Sequence, residues 1–187
     1  MSSKSSMNHV KSLDHPQLLA IMTPMEAGEV VSIYRLLDSH QIPVWIDGGW
    51  GIDALIGHQT RPHNDLDIAV EHRHVAKLRE ILFEQGYVPV ASPPGQQDFM
   101  FVLQDKLGRK LDVHSFTFDA AGNHLYGVQY PAASLTGTGT IAGLEVRCVS
   151  LEYVLIFHGA YEPDEEDRKD IQALVNRFGV RPPKNYC

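Results

Sequence analysis

Positive charge is in short supply in this 187-residue chain. Lys and Arg together number 16 against 23 Asp and Glu, the net charge is −7, and no basic run occurs. That balance argues against broad binding to nucleic-acid backbone, which is driven by neutralising phosphates. Cysteine is scarcer still. Cys148 and Cys187 are the whole complement, without the spacing of a metal site, and a reducing cytoplasm is the expected compartment. No apolar run approaches the roughly 20 residues that a membrane-spanning helix needs, so no membrane partner is expected. The N-terminal lysines are not followed by the apolar segment of a secretory leader. Internal repeats and low-complexity segments are also missing. The remainder is 43% hydrophobic and 21% charged, ordinary for a globular protein and long enough for a sizeable core.

Residues 1–20, rich in Ser and Lys, are expected to form a flexible tail in which His9 and His15 are exposed. Residues 21–187 are expected to form one domain. Thr23-Pro24-Met25-Glu26 has the pattern of a capping box with Pro at the first helical position. It should open a helix to residue 39, with Val30, Ile33, Tyr34 and Leu37 on one face. Apolar alternation predicts strands over 44–47, 65–70, 87–91, 98–104, 110–118 and 144–149, and a weaker one over 124–130. Helices are predicted over 50–56, over 74–85 with Gly86 as its C-terminal cap, from a Ser150 cap to 158, and over 163–178. Pro93-Pro94-Gly95 is a break. Residues 132–140, small and Gly-rich, read as a flexible loop over the site. The sum is an α/β chain with a mixed sheet flanked by helices and closed by C-terminal helices.

The chain is organised around residues 44–70. In a strand, side chains alternate between faces, so Asp65 and Asp67 point one way while Leu66 and Ile68 point into a core. Two adjacent carboxylates repel, and a cation between them is the usual remedy; oxygens on a rigid strand suit Mg²⁺. Gly48-Gly49 turns the preceding strand into a helix, whose free N–H groups and dipole favour a phosphate. Each feature alone has a plainer reading, as a solvated edge or a tight turn. Together, within about twenty residues, they point to phosphoryl or nucleotidyl transfer from a nucleotide. Arg61 offers a fork of donors that matches phosphate oxygens, and His63 either joins it or braces the loop. Asp112 and His114 share a strand face, and Asp112 joins the aspartate pair if their strand lies beside 65–70. Asp47 is a candidate to face an acceptor, and Asp53 is placed on the exposed face of the short helix. Trp45 and Trp50 read as packing residues.

The run Trp45-Ile46-Asp47-Gly48-Gly49-Trp50-Gly51-Ile52-Asp53, followed by Thr60-Arg61-Pro62-His63-Asn64-Asp65-Leu66-Asp67, resembles the antibiotic-modifying branch of the DNA polymerase β-type nucleotidyltransferase superfamily. Within that branch it is most similar to the small lincosamide nucleotidyltransferases, and next to the aminoglycoside 2″-nucleotidyltransferases. Leu111-Asp112-Val113-His114 and Phe157-His158-Gly159-Ala160-Tyr161, with Asp167 and Asp170, resemble the lincosamide enzymes. The superfamily often has Ser after the first glycine; Gly49 stands here, as in the antibiotic branch. The likeness covers most of residues 28–178, and the middle loops match poorly.

The resemblance implies a polymerase β-type fold and transfer of AMP from ATP, or a nucleotide from another NTP, to a hydroxyl of a small-molecule antibiotic. It implies Mg²⁺ held by Asp65 and Asp67, with Asp112 as third ligand or general base. Gly48, Gly49, Arg61 and His63 would hold the triphosphate. A homodimer with the acceptor near the partner subunit is implied as well. A lincosamide is the expected acceptor, in a mixed pocket for which Phe116, Phe118, Tyr126 and Tyr161 are candidates. An aminoglycoside is the alternative, and a protein hydroxyl, as in minimal toxin–antitoxin nucleotidyltransferases, is a weaker one. A non-catalytic nucleotide-binding module would fit a lost carboxylate, but all three are present.

Overall fold

The computed structural model of the chain describes residues 23–91 and 98–186. The expected tail, the break at 93–95 and Cys187 lie outside them. The described elements are five helices and eight strands. In chain order they are α1 (Ala27–Ser39), β1 (Val44–Ile46), α2 (Gly48–Ile56), β2 (Asp65–Glu71), α3 (Val75–Glu84), β3 (Val88–Pro89), β4 (Met100–Gln104) and β5 (Lys110–Phe118). Then follow β6 (His124–Gly127), β7 (Gly137–Ile141), β8 (Leu144–Cys148), α4 (Leu151–His158) and α5 (Glu165–Phe178).

The strands form one mixed sheet in the order β3-β4-β5-β2-β1-β8-β7, with β6 joined to β5. β2 pairs parallel with β5, and β1 pairs parallel with β8. The other neighbours are antiparallel. Period-two alternation divides the sheet into two chemistries. Leu66, Ile68 and Val70 of β2 and Leu111 and Val113 of β5 enter one core, with Val30, Ile33 and Leu37 of α1 and Leu78, Ile81 and Leu82 of α3. On the other face, Ala69 and Phe116 pack with Ile52 and Ile56 of α2, Val154 of α4, and Ile171 and Leu174 of α5. Burying a leucine or isoleucine fully contributes roughly 1.5–3 kcal/mol, so these stripes dock the helices.

Three local expectations are corrected. The capping box does not form: α1 starts at Ala27, and its N-cap Glu26 makes no side-chain cap bond. Met25, fully buried, instead forms a bridge to His63, with Met25 N donating to His63 O at 2.8 Å. Burial of the Met side chain outweighs a solvent-exposed cap and ties the segment before α1 to the loop before β2. Ser150 does sit at the N-cap of α4, but its side chain makes no capping bond.

The third correction concerns residues 132–140. They are a short 3-10 turn (Ala132–Thr136) and strand β7, paired along its length with β8. The small residues are explained by packing. A Cβ on Gly139 would stand 2.3 Å from the backbone of Ala54 in α2. The glycine lets helix and strand approach backbone to backbone. Gly86, by contrast, closes α3 in the left-handed conformation as expected (φ +87°), with Tyr87 N donating to Leu82 O at 3.0 Å.

Candidate active site

The parallel register sets Asp67 directly beside Asp112. His114 lies one pleat further along the same face of β5. Asp67, Asp112 and His114 bring their potential ligand atoms within 4.8 Å of one another. Asp65 is on the same face of β2 at its exposed start, outside that three-residue group. The crowding has an electrostatic cost. Burial raises the Asp67 carboxyl well above its ordinary value, and the charges of Asp65, Asp47 and Asp112 push the same way, against Arg61. Asp112 is also raised, first by burial and then by Asp65, with His114 and Lys110 opposing. Carboxylates that resist ionising beside one another fit a divalent cation, whose charge relieves the repulsion.

The glycine turn is placed by these same side chains. α2 begins at Gly48, with Asp47 as N-cap and its Oδ1 accepting from Gly48 N at 2.9 Å. Gly48 has φ +54°, and a Cβ there would stand 2.2 Å from Asp67 Oδ2. A Cβ on Gly49 would stand 2.4 Å from His63 Nδ1 and 3.0 Å from Arg61 Nη2. Both glycines are therefore required before any ligand is considered, because the aspartate, imidazole and guanidinium already fill the space a side chain would take. The predicted short helix accordingly starts two residues earlier than expected.

Arg61 is held from α5. Its Nε and Nη2 donate to the two oxygens of Asp170 at 2.8 Å each, and Nη1 meets Glu166 at 2.9 Å. The bond to Asp170 is the leading cause of its raised proton affinity. This two-point pairing joins residues 109 apart in sequence and locks the loop before β2 to the C-terminal helix. His63 is 3% exposed and lies against Trp50. Its Nε2 is 2.5 Å from Asp53 Oδ2. Asp53 is thus not on an exposed helix face: it is 1% exposed and also accepts from Thr60 N and Oγ1. The pair braces the loop that delivers Arg61.

A cleft of about 360 Å³ opens between the glycine turn with Asp65 and Asp67 on one wall and Tyr161, Glu166, Asp167 and Asp170 on the other. Of the four aromatic residues expected to line a mixed pocket, only Tyr161 reaches it. Phe116 is 1% exposed in the core, Phe118 packs on that core, and Tyr126 bonds Asp98 and contacts Phe99 and His72. Tyr161 bonds Asp167 at 2.9 Å. One group that sequence reading passed over is Tyr130, whose hydroxyl donates to Asp47 Oδ2 at 2.6 Å. Nothing in the local pattern marks it.

The family model described as aminoglycoside-2″-adenylyltransferase matches residues 29–174. A lincosamide resistance protein of Staphylococcus haemolyticus is 27% identical over 157 residues, spanning 78% of this chain and 92% of the relative. A 2″-aminoglycoside nucleotidyltransferase of Escherichia coli is 29% identical over 146 residues, spanning 75% and 78%. The lincomycin-bound crystal structure of a lincosamide antibiotic adenylyltransferase superposes with a TM-score of 0.70 at 25% identity, covering 81% of this chain and 98% of that one. The mixed sheet with its C-terminal helices is thus a nucleotidyltransferase fold.

Proposed function

This chain belongs to the aminoglycoside-2″-adenylyltransferase family, and from that premise we propose that it transfers AMP from ATP to a hydroxyl of a small-molecule antibiotic, releasing pyrophosphate and inactivating the drug. The observation that supports it most is the register pairing of Asp67 with Asp112, where Asp67 and the glycine turn line a cleft. Asp65 and Asp67 are the groups that would hold Mg²⁺, which when bound neutralises triphosphate charge and aligns it for attack at the α-phosphorus. Gly49 presents its backbone N–H to the phosphates at the start of α2, and Gly48, its own N–H held by Asp47, shapes the turn beside them. Arg61 keeps Asp170 through Nε and Nη2 and exchanges the exposed Glu166 for a phosphate oxygen through Nη1. His63 holds the turn from beneath and stands beside that phosphate path. Asp112, with its raised proton affinity, takes the proton of the acceptor hydroxyl. Asp112→Asn is then expected to spare ATP binding in a calorimetric titration while turnover stops; loss of both makes Asp112 a ligand instead.

For the acceptor we favour a lincosamide, on the residue patterns at 111–114 and 157–161. The acidic wall of Glu166, Asp167 and Asp170 supports the second reading, an aminoglycoside with several ammonium groups. Mass spectrometry after incubation with each NTP, Mg²⁺ and a panel of both classes decides the matter. A gain of one AMP on lincomycin or clindamycin supports the first reading, and a gain on kanamycin or gentamicin alone supports the second. A cleft of about 360 Å³ is small for a nucleotide and an antibiotic together. We therefore take the working form to be a cytoplasmic homodimer in which a second subunit completes the acceptor site. Light scattering that returns the monomer mass at every concentration would overturn the dimer.

A further inference from the structure

Tyr130 is 3% exposed, and its ring packs against Phe116 and Phe157. Its hydroxyl lies between two groups of the site. Asp47 Oδ2 is 2.6 Å away, and His114 Nδ1 is 3.2 Å away. The directions of these bonds are not free. Asp47 already accepts from Gly48 N through Oδ1, and as a carboxylate it has only acceptors to offer. A distance of 2.6 Å is that of a hydroxyl donating to a charged oxygen. The single proton of Tyr130 is therefore committed to Asp47, and toward His114 the hydroxyl has only lone pairs. His114 Nδ1 must then carry the hydrogen. In the uncharged ring that leaves Nε2 with its lone pair, and Nε2 is the nitrogen 3.6 Å from Asp112 Oδ1.

We propose that Tyr130 is a positioning residue: bonded to Asp47, it holds His114 as the Nδ1–H tautomer, so that Nε2 faces the Asp67–Asp112 pair as a lone pair rather than as a proton. The opposite tautomer would aim an N–H at Asp112, bind its carboxylate oxygen and occupy the space a cation would enter. As set by Tyr130, the imidazole adds a nitrogen donor to the two carboxylates and leaves their oxygens open. The same hydroxyl ties the strand of Asp112 to the turn that presents Gly48. The consequence for transfer rests on the nucleotidyltransferase reading; the tautomer itself does not.

Imidazole nitrogen NMR on the full chain, without nucleotide or metal, reads the tautomer directly. The parent protein is expected to show His114 as Nδ1–H. Asp47→Asn turns one bond round: its carbonyl keeps Gly48 N, its amide donates to Tyr130, and the tyrosine proton must swing to His114. His114 is then expected as Nε2–H. Tyr130→Phe keeps the ring and removes the oxygen, and a mixture of the two forms is expected. In that variant kcat should fall about 10- to 100-fold with KM for ATP within about twofold, the size typical of losing a residue that orients a ligand. A parent spectrum showing Nε2–H, or a tautomer unmoved in both variants, overturns the proposal. So does a kcat loss below about threefold in Tyr130→Phe. If the tautomer behaves as expected but no NTP or antibiotic is consumed by the parent, the functional reading fails and the positioning role of Tyr130 stands.

Discussion

The two faces of β2 and β5 are one residue out of step, and they follow opposite rules. Leu66, Ile68, Leu111 and Val113 are 0% exposed and sealed by α1 and α3. Their neighbours Asp67 and Asp112, on the same backbone in the same register, are only half-buried and electrostatically at odds, with His114 offsetting part of the conflict. The apolar face gains free energy by excluding water, whereas the acidic face holds like charges together against their repulsion. The comparison teaches that the acids owe their positions to the leucines behind them: a rigid sheet, fixed from one side, can present an unfavourable charge cluster on the other.

Four experiments test that contrast. The largest effect is expected from Asp67→Asn, which should slow transfer at least about 1000-fold, or about 4 kcal/mol in the barrier, while the fold is kept. Transfer at the parental rate would remove Asp67 from the site. Leu111→Ala, one position from Asp112 but on the sealed face, should do the reverse. Chemical denaturation is expected to show a loss of about 3 kcal/mol, with kcat near the parental value at a temperature where the variant is folded. If kcat collapsed instead, the two faces would not be separable.

Gly139→Ala comes next. Its added Cβ must push β7 from the backbone of Ala54, and overpacking of this kind costs about 1–3 kcal/mol. An unchanged melting temperature would mean that α2 and β7 yield more easily than their packing implies.

The smallest effect is one of pH. The folded-state proton affinities of Asp67 and Asp112 lie above their unfolded values, so their ionised forms oppose folding at neutral pH. As pH falls through those raised values, the folded protein takes up protons first, and this part of its stability increases until the unfolded carboxylates protonate near about 4. Asp105 runs the other way: burial pushes it up, but Arg109 bonds hold it below the usual range, so its contribution is lost in acid. Without metal, Asp67→Asn should therefore be more stable than the parent at pH 7, with the gap closing toward pH 4. Adding Mg²⁺ at pH 7 should raise the parent's melting temperature more than the variant's. A gap that widened in acid would reverse the sign assigned to Asp67.

Much of this arrangement was legible in the residues themselves. Alternation alone put Asp65 with Asp67, and Asp112 with His114, on faces opposite the leucines, because period two is a local property of a strand. That the two strands are neighbours was conditional, since pairing across α3, β3 and β4 is set by the whole sheet. The bonds that finish the site were not legible. Arg61 finds Asp170 across 109 positions, and Tyr130 reaches Asp47 across 83. Residues 132–140 misled for a related reason. A shortage of side chains looks the same whether the space is left to solvent or, as at Gly139, occupied by another backbone.

The parallel pairing of β2 with β5 also sets when the site comes into being. The glycine turn and β2 are made early in synthesis, but Asp67 is not joined by Asp112 until β5 has emerged and inserted beside it. Arg61 waits longer, for Asp170 in the second turn of α5. Non-local pairing of this kind forms slowly, because the intervening chain must be ordered before the contact is gained. During that interval Asp67 and Asp112 are held in water, which screens their repulsion. The full charge conflict of the site thus appears only with β5, the strand that also anchors β4 and β6, and a ribosome-bound chain halted before β5 would hold the motif without the centre.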